Sequence, residues 1–132
     1  MTWINWSEEQ ITGHDGMDHD HQQLADLINQ LADGMENNKS KEYCSGLLEK
    51  FIDQTRIHFL AEEQLMDRHR YPHASQHKAL HAMLVKDVLA FKASYDAGET
   101  AEFITLLVIL DSWLKRDILG ADKLLAEFAA AG

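Results

Sequence analysis

The stretch that decides the fold runs from 58 to 81 and reads HFLAEEQLMDRHRYPHASQHKALH. It carries two matching motifs, because His58 and Glu62 are four residues apart and so are His77 and His81. Residues four apart on an α-helix lie on one face, one turn from each other, so each motif presents two side chains to a common point. Between the motifs Pro72 interrupts the pattern, since the residue before a proline avoids helical backbone. The stretch therefore predicts two helices that meet at a turn and carry corresponding polar pairs.

Apolar residues on either side continue the helical period, which predicts four amphipathic segments. These run from about 18 to 37, from 40 to 70, from 75 to 98 and from about 100 onwards, with Ser75 as the expected cap of the third. The fourth is interrupted at Gly120 and continues over 123–131 as a short C-terminal helical extension. An irregular N-terminal arm over 1–17, with Trp3, Ile4 and Trp6 as apolar anchors, precedes them. We predict an all-α, up-down-up-down four-helix bundle.

The composition is typical of one globular domain, here spanning 1–132, with 45% hydrophobic and 26% charged residues. A formal net charge of −10 disfavours partners such as nucleic acid and anionic membrane surfaces, because both are negatively charged. The one cysteine, Cys44, excludes an internal disulfide and a zinc site built on thiolates. No signal-peptide pattern begins the chain and no apolar run is long enough to span a bilayer, so we expect a cytoplasmic protein.

Ionisable residues fall on the apolar faces of these helices, where a charge is costly unless it is paired or bound to a metal ion. The helical period places six of them on faces that are expected to be buried: His21, His58, Glu62, His77, His81 and Asp117. Imidazole and carboxylate donors suit iron, zinc, manganese or copper. Asp122 brings the number of donors to seven, too many for one tetrahedral zinc ion, so we expect two octahedral ions bridged by carboxylates. The ferritin-like class is disfavoured because the chain has no Glu-x-x-His motif.

Two of these candidate donors have an unusual spacing. Asp117 and Asp122 are five residues apart, which places them roughly 140° from each other on a regular α-helix. Both reach one site only if the helix is broken or widened between them. Gly120 lies in that interval and tolerates unusual backbone angles. We therefore predict a wide turn here, a feature that often accompanies a functional site.

Taken together, the motifs resemble those of the bacterial hemerythrins, from Trp6 to about Leu125. His21 follows an acidic approach, Gly-Met-Asp-His-Asp; then come His58-Phe-Leu-Ala-Glu62, Tyr71-Pro72, His77-Lys-Ala-Leu-His81 and Trp113-Leu-Lys-Arg-Asp117-Ile-Leu-Gly-Ala-Asp122. The resemblance implies a four-helix bundle around two non-haem iron ions with an oxo or hydroxo bridge. It also implies that this centre binds O2 or small anions.

The resemblance further implies a role for each matching residue. His21 and His58 would bind the iron with an open position, His77 and His81 would bind the other iron, and Glu62 and Asp122 would bridge the pair. An apolar O2 pocket would be lined by Leu24, Phe59, Trp113, Leu114 and Ile118. Asp18 and Asp20 are candidates to orient His21 from outside the ligand set.

Asp117 departs from the family pattern, which has a fifth histidine at this position. Asp117 either binds iron directly or through a water molecule, or leaves the position to solvent, or is replaced by another histidine, of which His73 is the nearest candidate. We favour direct or water-bridged Asp117. A third carboxylate removes positive charge from the centre and stabilises the ferric state, so we expect a lower reduction potential and faster autoxidation.

Three functions follow from these expectations. An O2-binding protein for storage or delivery is the family's usual role, and it is not an enzyme. An O2 or redox sensory input domain is the alternative, favoured by Asp117; its partner would be a fused or separate signalling output domain, and the helical end of the chain allows such a continuation. A di-iron oxidase or peroxidase is less favoured, because the sequence shows no acid–base residue beyond the candidate ligands.

Overall fold

Four helical rods pack side by side in the computed structural model, which describes residues 11–98 and 103–131 apart from the side chains at 103, 104, 107 and 114. The elements are α1 (Asp15–Glu36), α2 (Lys41–His69), α3 (Ala74–Asp96), α4 (Phe103–Ser112), a π-helical segment (Trp113–Asp122) and α5 (Lys123–Ala131). Helices that are consecutive in the chain contact each other, and α4, the π segment and α5 form one unbroken rod. The all-α four-helix bundle is confirmed. None of the described helices is long and apolar enough to cross a membrane.

The first helix begins earlier than the apolar pattern predicts, because His14 caps it. The ring nitrogen Nδ1 of His14 accepts a hydrogen bond from the backbone N–H of Met17 at 3.2 Å. Asp18 then accepts hydrogen bonds from the backbone of Thr12 and Gly13, which fixes the chain before the helix. Residues 15–17 are therefore helical, and not part of the expected arm. The anchors expected at 3, 4 and 6 lie outside the described residues.

The turn between α2 and α3 forms where Pro72 predicts it. Arg70 takes a left-handed conformation with φ of 50°, and the N–H of Tyr71 donates to the carbonyl of Met66 at 2.9 Å. The third helix starts at Ala74, after His73, so Ser75 is already helical and the prediction that it caps the helix is wrong. The turn brings the His58–Glu62 face of α2 opposite the His77–His81 face of α3.

Two apolar clusters divide the bundle interior along its length. The larger contains Leu24, Phe59 and Ile118, and the smaller closes one end with Met17, Met66 and Leu125. In α1, α2 and the fourth rod the two clusters are seven residues apart along the chain, and the residues between include imidazole or carboxylate groups. The buried polar residues, apart from Thr55 in α2, therefore form a layer between two apolar clusters, shielded from water on both sides.

The predicted wide turn is confirmed as a π-helical segment of ten residues. A π-helix pairs residues five apart, so it brings Asp117 and Asp122 towards the same side of the rod. Both side chains are buried, with 1% exposure each. Gly120 is not among the described glycines with positive φ, so the wide turn does not depend on a backbone angle that only glycine tolerates. Helical pairing, rather than a broken helix, turns both carboxylates inward.

Candidate metal centre

Six buried side chains from four rods converge in the polar layer. They form two groups of potential metal-binding atoms, and within each group the atoms lie within 4.8 Å of one another. One group is His21, His58, Glu62 and Asp122; the other is Glu62, His77, His81 and Asp122. The two groups share both carboxylates and differ in their histidines. Such an arrangement offers two adjacent cation positions joined by two carboxylates.

The carboxylate contacts have the same two-sided pattern. The Oδ2 atom of Asp122 lies 2.9 Å from Nε2 of His21, and its Oδ1 lies 2.8 Å from Nε2 of His77. The Oε1 atom of Glu62 lies 3.1 Å from Nε2 of His77 and 2.9 Å from Nε2 of His81. Its Oε2 atom contacts His58. Each carboxylate therefore directs one oxygen to each histidine pair, which is how a bridging carboxylate contacts two metal ions.

The charges of the cluster show that it needs positive charge. Burial, the largest influence, lowers the pKa of His21, but hydrogen bonds to Asp122 and Glu62 outweigh it and raise that pKa to about 9. The pKa of His77 is raised to about 9 by the same balance. Although burial alone would raise the pKa of Glu62, its histidine contacts hold that pKa well below the usual value. The two buried carboxylates are therefore stabilised by nearby positive charge. When no metal is bound, that charge comes from protonated imidazoles.

The donor atoms fit a metal better than they fit each other. Nε2 of His58 and Oε2 of Glu62 are buried and closely approach one another, yet neither makes a hydrogen bond of acceptable geometry among the described residues. Each of these two atoms would gain a partner if a metal ion lay between the donors of the group that contains His21, His58, Glu62 and Asp122. Nitrogen and oxygen donors in this number suit octahedral first-row ions such as iron. The residues present therefore fit a two-metal centre.

Two further carboxylates hold the histidines from outside the cluster. Oδ2 of Asp20 lies 2.9 Å from Nδ1 of His58, and Oε2 of Glu63 lies 3.1 Å from Nδ1 of His81. A carboxylate on Nδ1 fixes the ring so that Nε2 faces the centre and makes that nitrogen a stronger donor. The expectation that Asp20 and Asp18 orient His21 is not what the structure shows. Asp20 contacts His58 instead, and Asp18 contacts the backbone before α1.

Asp117 is the one predicted ligand that belongs to neither donor group. Its Oδ1 accepts a hydrogen bond from Nε of the neighbouring Arg116 at 3.0 Å, and its Oδ2 is buried without a hydrogen-bond partner among the described residues. Burial raises the pKa of Asp117, and the hydrogen bond from Arg116 acts in the opposite direction. His73, the nearest alternative, is exposed and also belongs to neither group. Asp117 thus lies outside both donor groups, with one oxygen bound by Arg116 and the other buried.

The described apolar side chains that the resemblance assigns to an O2 pocket are buried, and two of them contact candidate ligands. Leu24, Phe59, Trp113 and Ile118 are all buried, whereas the side chain at 114 lies outside the described part. The ring of Trp113 meets that of His21 edge-on, with centroids 6.3 Å apart. Phe59 stacks on His81 with centroids 3.7 Å apart and also contacts the ring of His58. The lining therefore touches both histidine pairs, and Phe59 lies between them.

Fold and site together define a helical-bundle protein with a buried histidine–carboxylate site for two cations. The chain belongs to the hemerythrin HHE cation binding domain family, whose model matches residues 12–129. A bacteriohemerythrin of Stenotrophomonas maltophilia is 27% identical over 127 residues, covering 96% of this chain and 82% of that protein. A hemerythrin-like protein of Naegleria gruberi is 28% identical over 119 residues, covering 90% and 87%.

The fold comparison agrees with the sequence comparison. A crystal structure of hemerythrin with a leucine-to-tyrosine substitution matches this chain with a TM-score of 0.88 and 25% identity, covering 98% of this chain and 99% of that one. The resemblance to the bacterial hemerythrins is thereby confirmed, together with the cofactor it implies, a pair of non-haem iron ions. The domain is of the di-iron, O2-binding type.

Proposed function

We propose that residues 1–132 form a single hemerythrin-like domain that binds O2 reversibly at a carboxylate-bridged di-iron centre. The observation that carries the proposal is the sharing of Glu62 and Asp122 between two buried histidine pairs. A single-metal site needs no such sharing. Burial between two apolar clusters supports the proposal further, because a centre that holds O2 must be kept from bulk water.

The proposed ligands follow from the two donor groups. His21 and His58 would hold one iron, His77 and His81 would hold the other, and the two shared carboxylates would contact both. Asp117 serves the second iron through a solvent molecule, since its carboxylate lies outside both groups. This assignment keeps Asp117 in the site as a residue that contacts bound solvent.

The ferrous pair supplies electrons and an open coordination position for O2, and the protein supplies the surroundings. Asp20 and Glu63 orient two of the imidazoles and increase their donor strength. Leu24, Trp113 and Ile118 exclude water from the centre. Without water nearby, irreversible oxidation of the ferrous pair by O2 is slower. The proposed O2 pocket is this apolar lining beside His21 and His58.

A redox or O2 sensory domain is a second candidate, and Asp117 favours it. A buried carboxylate near the iron pair stabilises the more highly charged ferric state. A carrier must avoid oxidation, whereas a sensor reports it to an output domain. The rate of autoxidation in air therefore separates the two candidates: an oxygenated form lasting hours supports the carrier, and conversion within seconds to a stable ferric form supports the sensor.

The test of the proposal begins with protein loaded with ferrous iron under nitrogen. We expect two iron ions per chain, a visible charge-transfer band on exposure to air, and loss of that band when O2 is removed. His77→Ala should abolish the band and lower the iron content. His73→Ala is the matched control, because His73 lies one turn away and outside both donor groups. Iron content below one per chain, or equal effects of the two variants, would contradict the proposal.

A further inference from the structure

The two iron positions are supplied by equal numbers of protein donors. Each donor group consists of two histidines and the two shared carboxylates, Glu62 and Asp122. An octahedral ion takes six donors. Four protein donors and one bridging oxygen leave one coordination position on each ion. A ligand at 117 that reached the second ion would close its position, but Asp117 belongs to neither group.

Arg116 accounts for the placement of Asp117. Its Nε donates to Oδ1 of Asp117 at 3.0 Å, and its Nη1 lies 3.5 Å from Sδ of Met83 on α3. The Arg116 side chain is 41% exposed, so the guanidinium lies at the surface, and its hydrogen bond holds one carboxylate oxygen towards it. The other oxygen, Oδ2, remains in the interior with 1% of the residue exposed and no hydrogen-bond partner among the described residues.

We infer that the iron bound by His77 and His81 keeps an exchangeable coordination position facing Asp117, and that Arg116 is the positioning residue that keeps it open. The inference rests on the proposed di-iron centre. This chain thus has two ligand positions, one on each iron. The position at Asp117 takes small uncharged molecules such as water, nitric oxide or hydrogen peroxide. Anions are excluded because three carboxylates surround it, and the free Oδ2 accepts a hydrogen bond from a ligand that carries a proton.

The first test counts ligands on protein whose iron content has already been measured. We expect the diferrous protein to take up two nitric oxide molecules per iron pair under nitrogen, and the diferric protein to bind one azide, each measured by spectroscopic titration. Asp117→His closes the position, so nitric oxide uptake falls to one. Asp117→Asn removes the negative charge beside the second position and leaves that position open, so the number of azide ions bound per iron pair should rise to two. A single nitric oxide in the unmodified protein would overturn the inference.

The second test isolates Arg116. Arg116→Ala releases the carboxylate to bind iron, so nitric oxide uptake should fall from two to one, whereas Arg116→Lys should retain two. Lys115→Ala is the matched control, since Lys115 is an exposed cation paired with Asp111 at 3.1 Å. Unchanged uptake in Arg116→Ala would refute the positioning role. Failure to bind iron at all would refute the proposed function instead, so the two failures are distinguishable.

Discussion

Asp20 on α1 contacts His58 on α2, with Oδ2 of the carboxylate 2.9 Å from Nδ1 of the ring. The contact joins two helices and ends at a group whose other nitrogen faces the metal centre. The Asp20 side chain is 37% exposed, whereas that of His58 is 3% exposed. A half-exposed carboxylate therefore controls the orientation of a buried histidine without itself entering the centre.

The first prediction concerns this contact. Asp20→Ala should lower the affinity for ferrous iron about 10-fold, because His58 loses the partner that fixes its ring and increases its donor strength. The fold should persist, since Asp20 lies at the bundle surface. Competition with a ferrous chelator measures the affinity, and circular dichroism measures the helix content. Asp26→Ala, an exposed aspartate on the same helix, should leave the iron affinity unchanged. Equal losses in both variants would show that Asp20 has no specific role.

The sequence predicts the helices and the inward faces well because both depend on local periodicity. His58 with Glu62 and His77 with His81 are each set by one turn of helix, so four-residue spacing identifies them without knowledge of the tertiary fold. The π segment can also be predicted from the sequence, since a five-residue spacing between two carboxylates requires a wide turn if both are to face inward.

The residues that surround the ligands cannot be predicted from spacing in the sequence. Asp20 and His58 are 38 residues apart in sequence, and Glu63 and His81 are 18 apart, so only the packing of helices decides which carboxylate meets which ring. The apolar pattern places the start of α1 too late, because a histidine acts as its cap and histidine is not among the usual capping residues. Spacing likewise gives no sign that Arg116 holds Asp117 out of the donor groups.

The second prediction concerns the π segment. Gly120→Ala should leave iron content unchanged and stabilise the fold by up to about 1 kcal/mol, because alanine has the higher helix propensity. The added Cβ atom would lie 4.0 Å from the carbonyl oxygen of Lys115, an ordinary contact. Deletion of Gly120 should abolish binding of two irons, because it rotates Asp122, which belongs to both donor groups, by roughly 100° relative to the preceding part of the rod. Iron analysis and thermal melting provide the comparison. A deletion variant that still binds two irons would show that the wide turn is unnecessary.

The third prediction concerns pH and the metal-free protein. The pKa values of His21 and His77 are raised to about 9 in the folded state from an ordinary value of 6.5. Their protonation therefore contributes stability that is fully present below pH 6.5 and is lost as the pH rises through about 9. We expect the melting temperature to fall by at least ~4 °C between pH 6.5 and pH 9.5. Calorimetry of iron-free protein measures the change.

Two comparisons make the pH prediction specific. The His77→Gln variant should show a shallower fall, because one of the histidines with a raised pKa is absent. Iron-loaded protein should show the reverse trend and lose its metal as the pH falls, because protons then compete with iron for the imidazoles. A melting temperature that rises towards pH 9.5 in iron-free protein is incompatible with protonated histidines in the cluster.

The last prediction concerns the charge at Asp117. Asp117→Asn keeps the size of the side chain and removes a buried negative charge from the vicinity of the iron pair. The ferric state loses more stabilisation than the ferrous state, so the reduction potential should rise and autoxidation in air should slow severalfold. Redox titration and the decay of the oxygenated spectrum measure the two effects. Asp111→Asn, which removes an exposed charge from the same rod, is the control and should change neither. If Asp117→Asn oxidises as fast as the unmodified protein, the carboxylate does not set the potential, and the sensory role loses its physical basis.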